Sequence, residues 1–248
     1  METNNLEAPA RPRLDGAAGR GGSEMRPYQL VAERIRELVQ HSALGPGARL
    51  PSERELASTL AVSRPSLREA LIALELGGFI EVRHGSGVYL ASALRSVAGA
   101  VPRSALPESG PGPFELLSAR RLIEPELAAL AARNATDAHI DAIIAAAADM
   151  ERLRGDKAAS EAADRQFHLS IARATGNSAL VGALEYLWNG RGRLWHTLEQ
   201  QFETDALRTD TLADHRRIVQ AIATRDAAGA RGAMRAHLER VTRTLSRG

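Results

Sequence analysis

Asp164 and His168 stand four residues apart in ADRQFHLSIARATGN, residues 163–177. On a helix that spacing puts both on one face, with Phe167, Leu169 and Ile171 supplying apolar bulk around them. A carboxylate beside an imidazole in such surroundings is either a hydrogen-bonded pair or half of a metal site. Two further histidines bear on the choice. His215 precedes Ile218, Val219 and Ile222, and His237 lies between Met234 and Val241. Of the seven histidines, His168, His215 and His237 fall on separate segments of helical period with apolar flanks. One Asp oxygen and three imidazole nitrogens suit Zn, Ni, Fe or Mn, and the absence of thiolate disfavours Cu(I). The residues alone leave the hydrogen bond and the metal both open.

A second constellation is basic. SRPSLREA, residues 63–70, reads as a helix start, with Ser63 as N-cap and Pro65 in the first turn. Arg64 and Arg68 lie four apart, and arginine can make a bidentate contact to guanine O6 and N7. Ser63 and Ser66 can donate to phosphate beside a positive helix terminus. Arg54 projects from the preceding segment, and His84-Gly85 form a turn small enough to approach a minor groove. The plain alternative is a solvated basic surface.

The elements that must position these groups follow from punctuation and period. Residues 1–25 are rich in Gly, Ala, Pro and Arg and read as a disordered tail. Prolines and glycines crowd between Pro102 and Pro113, so 94–113 reads as a linker. Between them, 26–93 holds a helix with Leu30, Val31, Ile35, Leu38 and Val39 on one face. A short helix capped by Ser52 and Glu55 follows, then a helix from Ser63 to Gly77-Gly78 and a hairpin around His-Gly-Ser-Gly. That order is a winged helix-turn-helix. Residues 114–246 show no strand signal. Alanine-rich segments of helical period at about 114–133, 137–153, 157–175, 177–203, 208–224 and 226–245 predict an antiparallel helical bundle. The expected fold is therefore mostly α: an N-terminal winged helix-turn-helix with a small β-hairpin wing, then an all-α bundle.

Composition narrows the function classes. The chain has 248 residues, a formal net charge of +2 and no cysteine. The small net charge makes any nucleic-acid surface local. Absence of cysteine excludes disulfides, thiolate catalysis and thiolate zinc fingers. No apolar run reaches the roughly 20 residues of a membrane span, and the N-terminus lacks a signal-peptide core. The default expectation is a cytoplasmic protein without membrane partners.

LPSERELASTLAVSRPSLREALIALELGGFIEVRHGSGVYL resembles the winged-helix domain of the GntR family of bacterial transcriptional regulators. The resemblance implies operator contacts by Arg54, Arg64 and Arg68, with His84-Gly85 in the minor groove. ELLSARRLIEPELAALAARNATD, DRQFHLSIARATGNSAL and HRRIVQAIATRDAAGARGAMRAHLERV resemble the all-helical FCD effector domain of the FadR-like subfamily. That resemblance implies a divalent metal, Zn before Ni, Mn or Fe, held by Asp164, His168, His215 and His237. Asp214 stands where the pattern has Glu. It also implies a homodimer on a palindromic double-stranded operator.

Four protein ligands leave room for an incoming carboxylate, which a buried cation attracts. Arg120 or Arg121 could clamp the effector's distal carboxylate; the resemblance favours Arg120, with an ordinary pair to Glu124 as the alternative. Asn177 reads as an N-cap. Arg191, Arg193 and His196, near Trp188 and Trp195, read either as pocket lining or as a solvated face with a packed aromatic edge, and the solvated face is the expectation. The functional expectation is a transcriptional regulator whose operator affinity is set by a small organic acid at the metal. One rival is a regulator for which the metal itself is the signal. Another is a metal-dependent enzyme fused to a DNA-binding unit, which lacks any accompanying H-E-x-x-H motif.

Overall fold

The computed structural model describes residues 25–42, 44–83, 86–92, 110–202 and 204–247. Three helices and a hairpin come first: α1 (Pro27–His41), α2 (Glu53–Leu60), α3 (Arg64–Leu76), β1 (Ile80–Arg83) and β2 (Gly87–Leu90). Seven helices follow: α4 (Pro113–Asn134), α5 (Asp137–Arg152), α6 (Lys157–Arg173), α7 (Ser178–Asn189), α8 (Arg193–Phe202), α9 (Asp205–Ala223) and α10 (Ala227–Arg247). The architecture is the expected mostly-α one.

Local chemistry sets the first unit. Ser52 accepts from the Glu55 backbone N–H at 3.3 Å, while Glu55 Oε2 accepts from Ser52 N at 2.8 Å, a reciprocal capping box. Ser63 caps α3 by accepting from Ser66 N at 3.2 Å. After α3, Gly78 takes φ +70°, a conformation glycine adopts without steric cost. The strands pair antiparallel, Ile80 opposite Leu90 and Arg83 opposite Gly87. Val31, Ile35, Leu56, Leu67, Leu71, Leu74, Ile80 and Leu90 close one core. Leu30, expected on the buried face of α1, is half exposed; Tyr28 and Ala32 are buried instead.

In the bundle, α10 lies along α4 and α9, and α5 packs on α6 and α9. Leu127, Phe167, Leu169, Ile171, Leu184, Ile218, Met234 and Leu238 fill its core. The segment expected as one helix over 177–203 is two. α7 ends at Asn189 and α8 begins at Arg193, with Gly190-Arg191-Gly192 between them. Two glycines around one residue weaken helix continuation, so apolar periodicity runs across a break in the chain. A third apolar cluster joins the two units: Tyr28, Ile72 and Ala73 pack with Leu116, Leu117, Leu194, Trp195, Leu198 and Leu245. Among the described residues, no helix is long and apolar enough to cross a membrane.

Candidate functional site

The bundle core brings the expected ligands together. His168 on α6, His215 on α9 and His237 on α10 are buried, each offering a ring nitrogen within 4.8 Å of the others. His215 Nε2 lies 3.4 Å from His237 Nε2. Asp164 Oδ1 lies 3.5 Å from His168 Nε2 and 3.7 Å from His215 Nε2. Metal bonds of about 2.1 Å would set neighbouring donor atoms roughly 3.0 to 3.4 Å apart, from right-angled to tetrahedral coordination. The observed spacings lie at or slightly beyond the wide end. Asp164 Oδ1 and His168 Nε2 are buried without a hydrogen-bond partner. Buried polar atoms are normally satisfied, and a cation at the centre of this group would satisfy both. The donor set therefore fits a divalent metal.

The outer ring nitrogens are held from behind. His168 Nδ1 bonds to Glu124, whose other oxygen accepts from Arg120 Nε. His237 Nδ1 faces Asp214 Oδ2 at 3.8 Å, and Asp214 is fixed by Arg217 at 2.6 Å and Arg240 at 2.9 Å. His215 Nδ1 meets Met150 Sδ at 3.1 Å, a weak acceptor. Such partners orient a ligating imidazole and set its tautomer.

Burial acts to raise the Glu124 carboxyl, but Arg120 and His168 outweigh it and hold it down to about 2. Burial likewise works against ionised Asp164, yet His168, His215 and Arg191 keep it far below the usual carboxylate range. His215 and His237 are pushed down, chiefly by burial. Burial also opposes the charged form of His168, and the Glu124 and Asp164 carboxylates overcome it, raising that group. Three of the four prospective donors thus favour the deprotonated form that coordination requires, and at His168 a metal would compete with a proton.

Asp164 and His237 also line a cavity of about 190 Å³. Its lining carries more cations than anions: Arg120, Arg154, Lys157, Arg191 and Arg208 against Glu161, Asp164 and Glu199. Arg120 lies over Trp188, at 4.3 Å from guanidinium carbon to ring centroid, so it combines the Glu124 pair with a place on the cavity wall. Arg191 departs from the sequence expectation. Its side chain is 6% exposed and stacks on Trp188 at 3.6 Å and Trp195 at 4.0 Å. Its Nε has no partner, and its Nη1 is 4.0 Å from Asp164 Oδ2. The glycine-flanked break between α7 and α8 places it there. Arg193 and His196 are exposed, as expected of a solvated face. Asn177 caps α7 by accepting from Ala179 N and Leu180 N.

Sequence reasoning gives no role to Met150, names Glu124 only as a partner for Arg120, and weighs Arg191 as pocket lining before placing it on a solvated face. Glu124 carries the i, i+4 spacing from Arg120 and Arg191 its flanking glycines and tryptophans, whereas Met150 carries no local signal. Glu161, His196 and Glu199 form a second group with metal-ligand types, but His196 is 46% exposed and its contacts are 3.7 and 4.0 Å.

In the first unit Arg54, Ser63 and Arg64 are exposed and Ser66 is half-buried, its hydroxyl 2.8 Å from that of Ser63. Arg68 does not join them at the surface. It is 3% exposed, bonded to Glu53 at 2.9 Å and to the Leu245 carbonyl at 3.2 Å, with Phe202 under its guanidinium at 4.2 Å. The bundle packs against the face of α3 that carries it. His84 and Gly85 lie outside the described residues.

An exposed arginine at the start of a winged-helix recognition helix, joined to a helical bundle with a buried cluster of metal-ligand residue types, is the architecture of a DNA-binding regulator with a second, helical domain. Residues 27–90 match the family described as bacterial regulatory proteins, gntR family, and residues 115–240 match the FCD domain. The chain belongs to the GntR family and is a DNA-binding transcriptional regulator with an FCD effector domain, not an enzyme. The Uxu operon transcriptional regulator of Escherichia coli strain K12 is 40% identical over 227 residues, covering 90% of this chain and 88% of that protein. The Exu regulon transcriptional regulator of the same strain is 35% identical, covering 86% and 82%. The transcriptional regulator LutR of Bacillus subtilis strain 168 is 33% identical, covering 84% and 96%.

Proposed function

We propose that this regulator senses a small organic acid that docks on a divalent metal in its bundle and thereby changes its affinity for an operator. The unit at 26–93 reads a palindromic site as a homodimer, the segment at 94–113 links it to the effector and dimerisation unit at 114–246, and the protein acts in the cytoplasm. Arg54, Arg64 and the Ser63 and Ser66 hydroxyls face the DNA, with His84-Gly85 as the wing contact. Asp164, His168, His215 and His237 hold the metal, with Zn the best match to one carboxylate and three imidazoles. The metal supplies a Lewis-acidic docking point. The chain's own part is to fix the imidazoles through Glu124, Asp214 and Met150, and to set Arg120 and Arg191 beside the open side.

The observation that carries this reading is the pairing of orphaned buried donors, Asp164 Oδ1 and His168 Nε2, with a cavity, lined by more cations than anions, that opens onto the same group. A cavity of that size beside the ligands favours a metal-docked acid over a regulator for which the metal alone is the signal. Relatives named for the Uxu operon and the Exu regulon support control of an operon.

The test is metal analysis of the wild type beside the His168→Ala, His215→Ala double variant, followed by thermal-shift titration of both with hydroxycarboxylates. A ligand that binds only the native state raises its stability by mass action. The wild type should carry about one metal per chain and respond to an acid, and the double variant should do neither. A wild type that cannot be loaded with metal would leave the Asp164–His168 pair as a hydrogen bond. Equal responses would remove the metal as docking point. Operator binding that follows metal loading alone, with no acid, would favour the metal as signal.

A further inference from the structure

Arg64 and Arg68 sit four residues apart on α3, yet Arg64 is exposed and Arg68 is 3% exposed. An arginine that reads a base edge must present its guanidinium to the groove. Here that group is spent inside the protein, on Glu53, the Leu245 carbonyl and the Phe202 ring. The neighbouring α3 residues are engaged by the bundle as well. Glu69 accepts from the Phe114 backbone N–H at the start of α4, and a Cβ on Gly112 would come within 2.9 Å of its carboxylate. Glu75 Oε2 accepts from Gln201 on α8 at 3.0 Å. Ile72 and Ala73 pack in the cluster with Trp195, Leu198 and Leu245.

Two of these contacts belong to the cavity too. Trp195 and Leu245 line it and also touch the α3 side of the bundle. Arg68 is incompletely satisfied, since its Nε is buried without a partner. An unmet donor leaves part of the cost of burying the guanidinium uncompensated, as a releasable contact requires.

We propose that the α3–bundle contact is an autoinhibitory clamp: α8 and the end of α10 withhold Arg68 from DNA, and operator recognition requires α3 to part from them. The proposal rests on the reading of α3 as the DNA-reading helix. It couples the cavity to DNA through Trp195 and Leu245, which a bound acid would displace. Parting removes the Leu245 carbonyl and the Phe202 ring from Arg68 and uncovers its side of α3, leaving only the pair with partly exposed Glu53 on α2. It also frees the Phe114 N–H and the Gln201 amide, both of which water can satisfy.

The chain has no cysteine, so a Glu75→Cys, Gln201→Cys pair can be joined selectively by a short bismaleimide. The intramolecular product should lose at least tenfold in operator affinity. The same variant blocked with a monofunctional maleimide should not. Phe202→Ala should raise operator affinity several-fold, and the gain should vanish in an Arg68→Ala background. Joined protein that binds the operator as tightly as the blocked control would overturn the clamp. So would a stably folded Phe202→Ala variant with unchanged or weaker binding. Both measurements omit any organic acid, so an effector that failed to dock at the metal would leave them intact.

Discussion

Arg191 and Glu124 are single side chains with different duties at the proposed metal site. Arg191 reaches the cavity with a buried guanidinium, an unpartnered Nε and two tryptophan faces around it, and it is not among the prospective metal ligands. Charge-assisted hydrogen bonds are worth about 1.5–3 kcal/mol, so Arg191→Ala should weaken carboxylate binding by roughly 10- to 100-fold. Metal content should stay the same. Thermal-shift titration beside metal analysis separates the two, and a loss of metal would move Arg191 into a structural role. Glu124 acts from behind His168 and should show the opposite pattern. Glu124→Gln keeps the shape but removes the charge that orients the imidazole, so metal affinity should fall about 10- to 100-fold. Competition with a chromophoric chelator measures that directly, and unchanged affinity would mean that Asp164 alone positions His168.

At the scale of elements, α3 has two faces with different duties. Its exposed start carries Arg64, and Arg64→Ala should cost about 1–3 kcal/mol at the operator and much less on random DNA. Equal losses on both DNAs, read by fluorescence anisotropy, would reduce Arg64 to a phosphate contact. The buried face carries Glu69, which burial pushes up to about 7, reinforced by nearby Glu115 and opposed by the Phe114 N–H. An acid raised in the folded state holds its proton there while the unfolded chain has already lost it. Between about 4.5 and 7 the native protein binds more protons, so stability falls as pH rises through that window. The contact between α3 and α4 is accordingly firmest in mild acid. Glu69→Gln should flatten this slope in denaturant melts taken across the window, and an unchanged slope would place its origin elsewhere.

For the whole molecule, one recognition helix reads too few base pairs for an operator, and a two-fold protein reads a palindrome. Light scattering should therefore give a dimer at micromolar concentration, with two chains per operator. A monomer bound one to one would end that reading. Two cores, one in each unit, and a third apolar cluster between them make the cavity and α3 neighbours through the same residues, Trp195 and Leu245. The proposed communication between an acid in the cavity and DNA then requires no long path.

The sequence by itself determined what is local or periodic. Ser52, Glu55 and Ser63 cap helices through bonds three residues long, so their roles are written in adjacent letters. Asp164 and His168 share a face because a helix repeats every 3.6 residues, and His215 and His237 were marked by their apolar flanks. Only the tertiary structure decided what meets those faces. Periodicity shows that Arg68 is on one side of α3 but not that the bundle covers that side. It also shows an apolar run across 177–203 but not that Gly190-Arg191-Gly192 break it and turn an arginine inward. Glu124 and Met150 reach the outer nitrogens of His168 and His215 from positions 44 and 65 residues away. Contacts of that kind are made by packing, and no spacing along the chain encodes them.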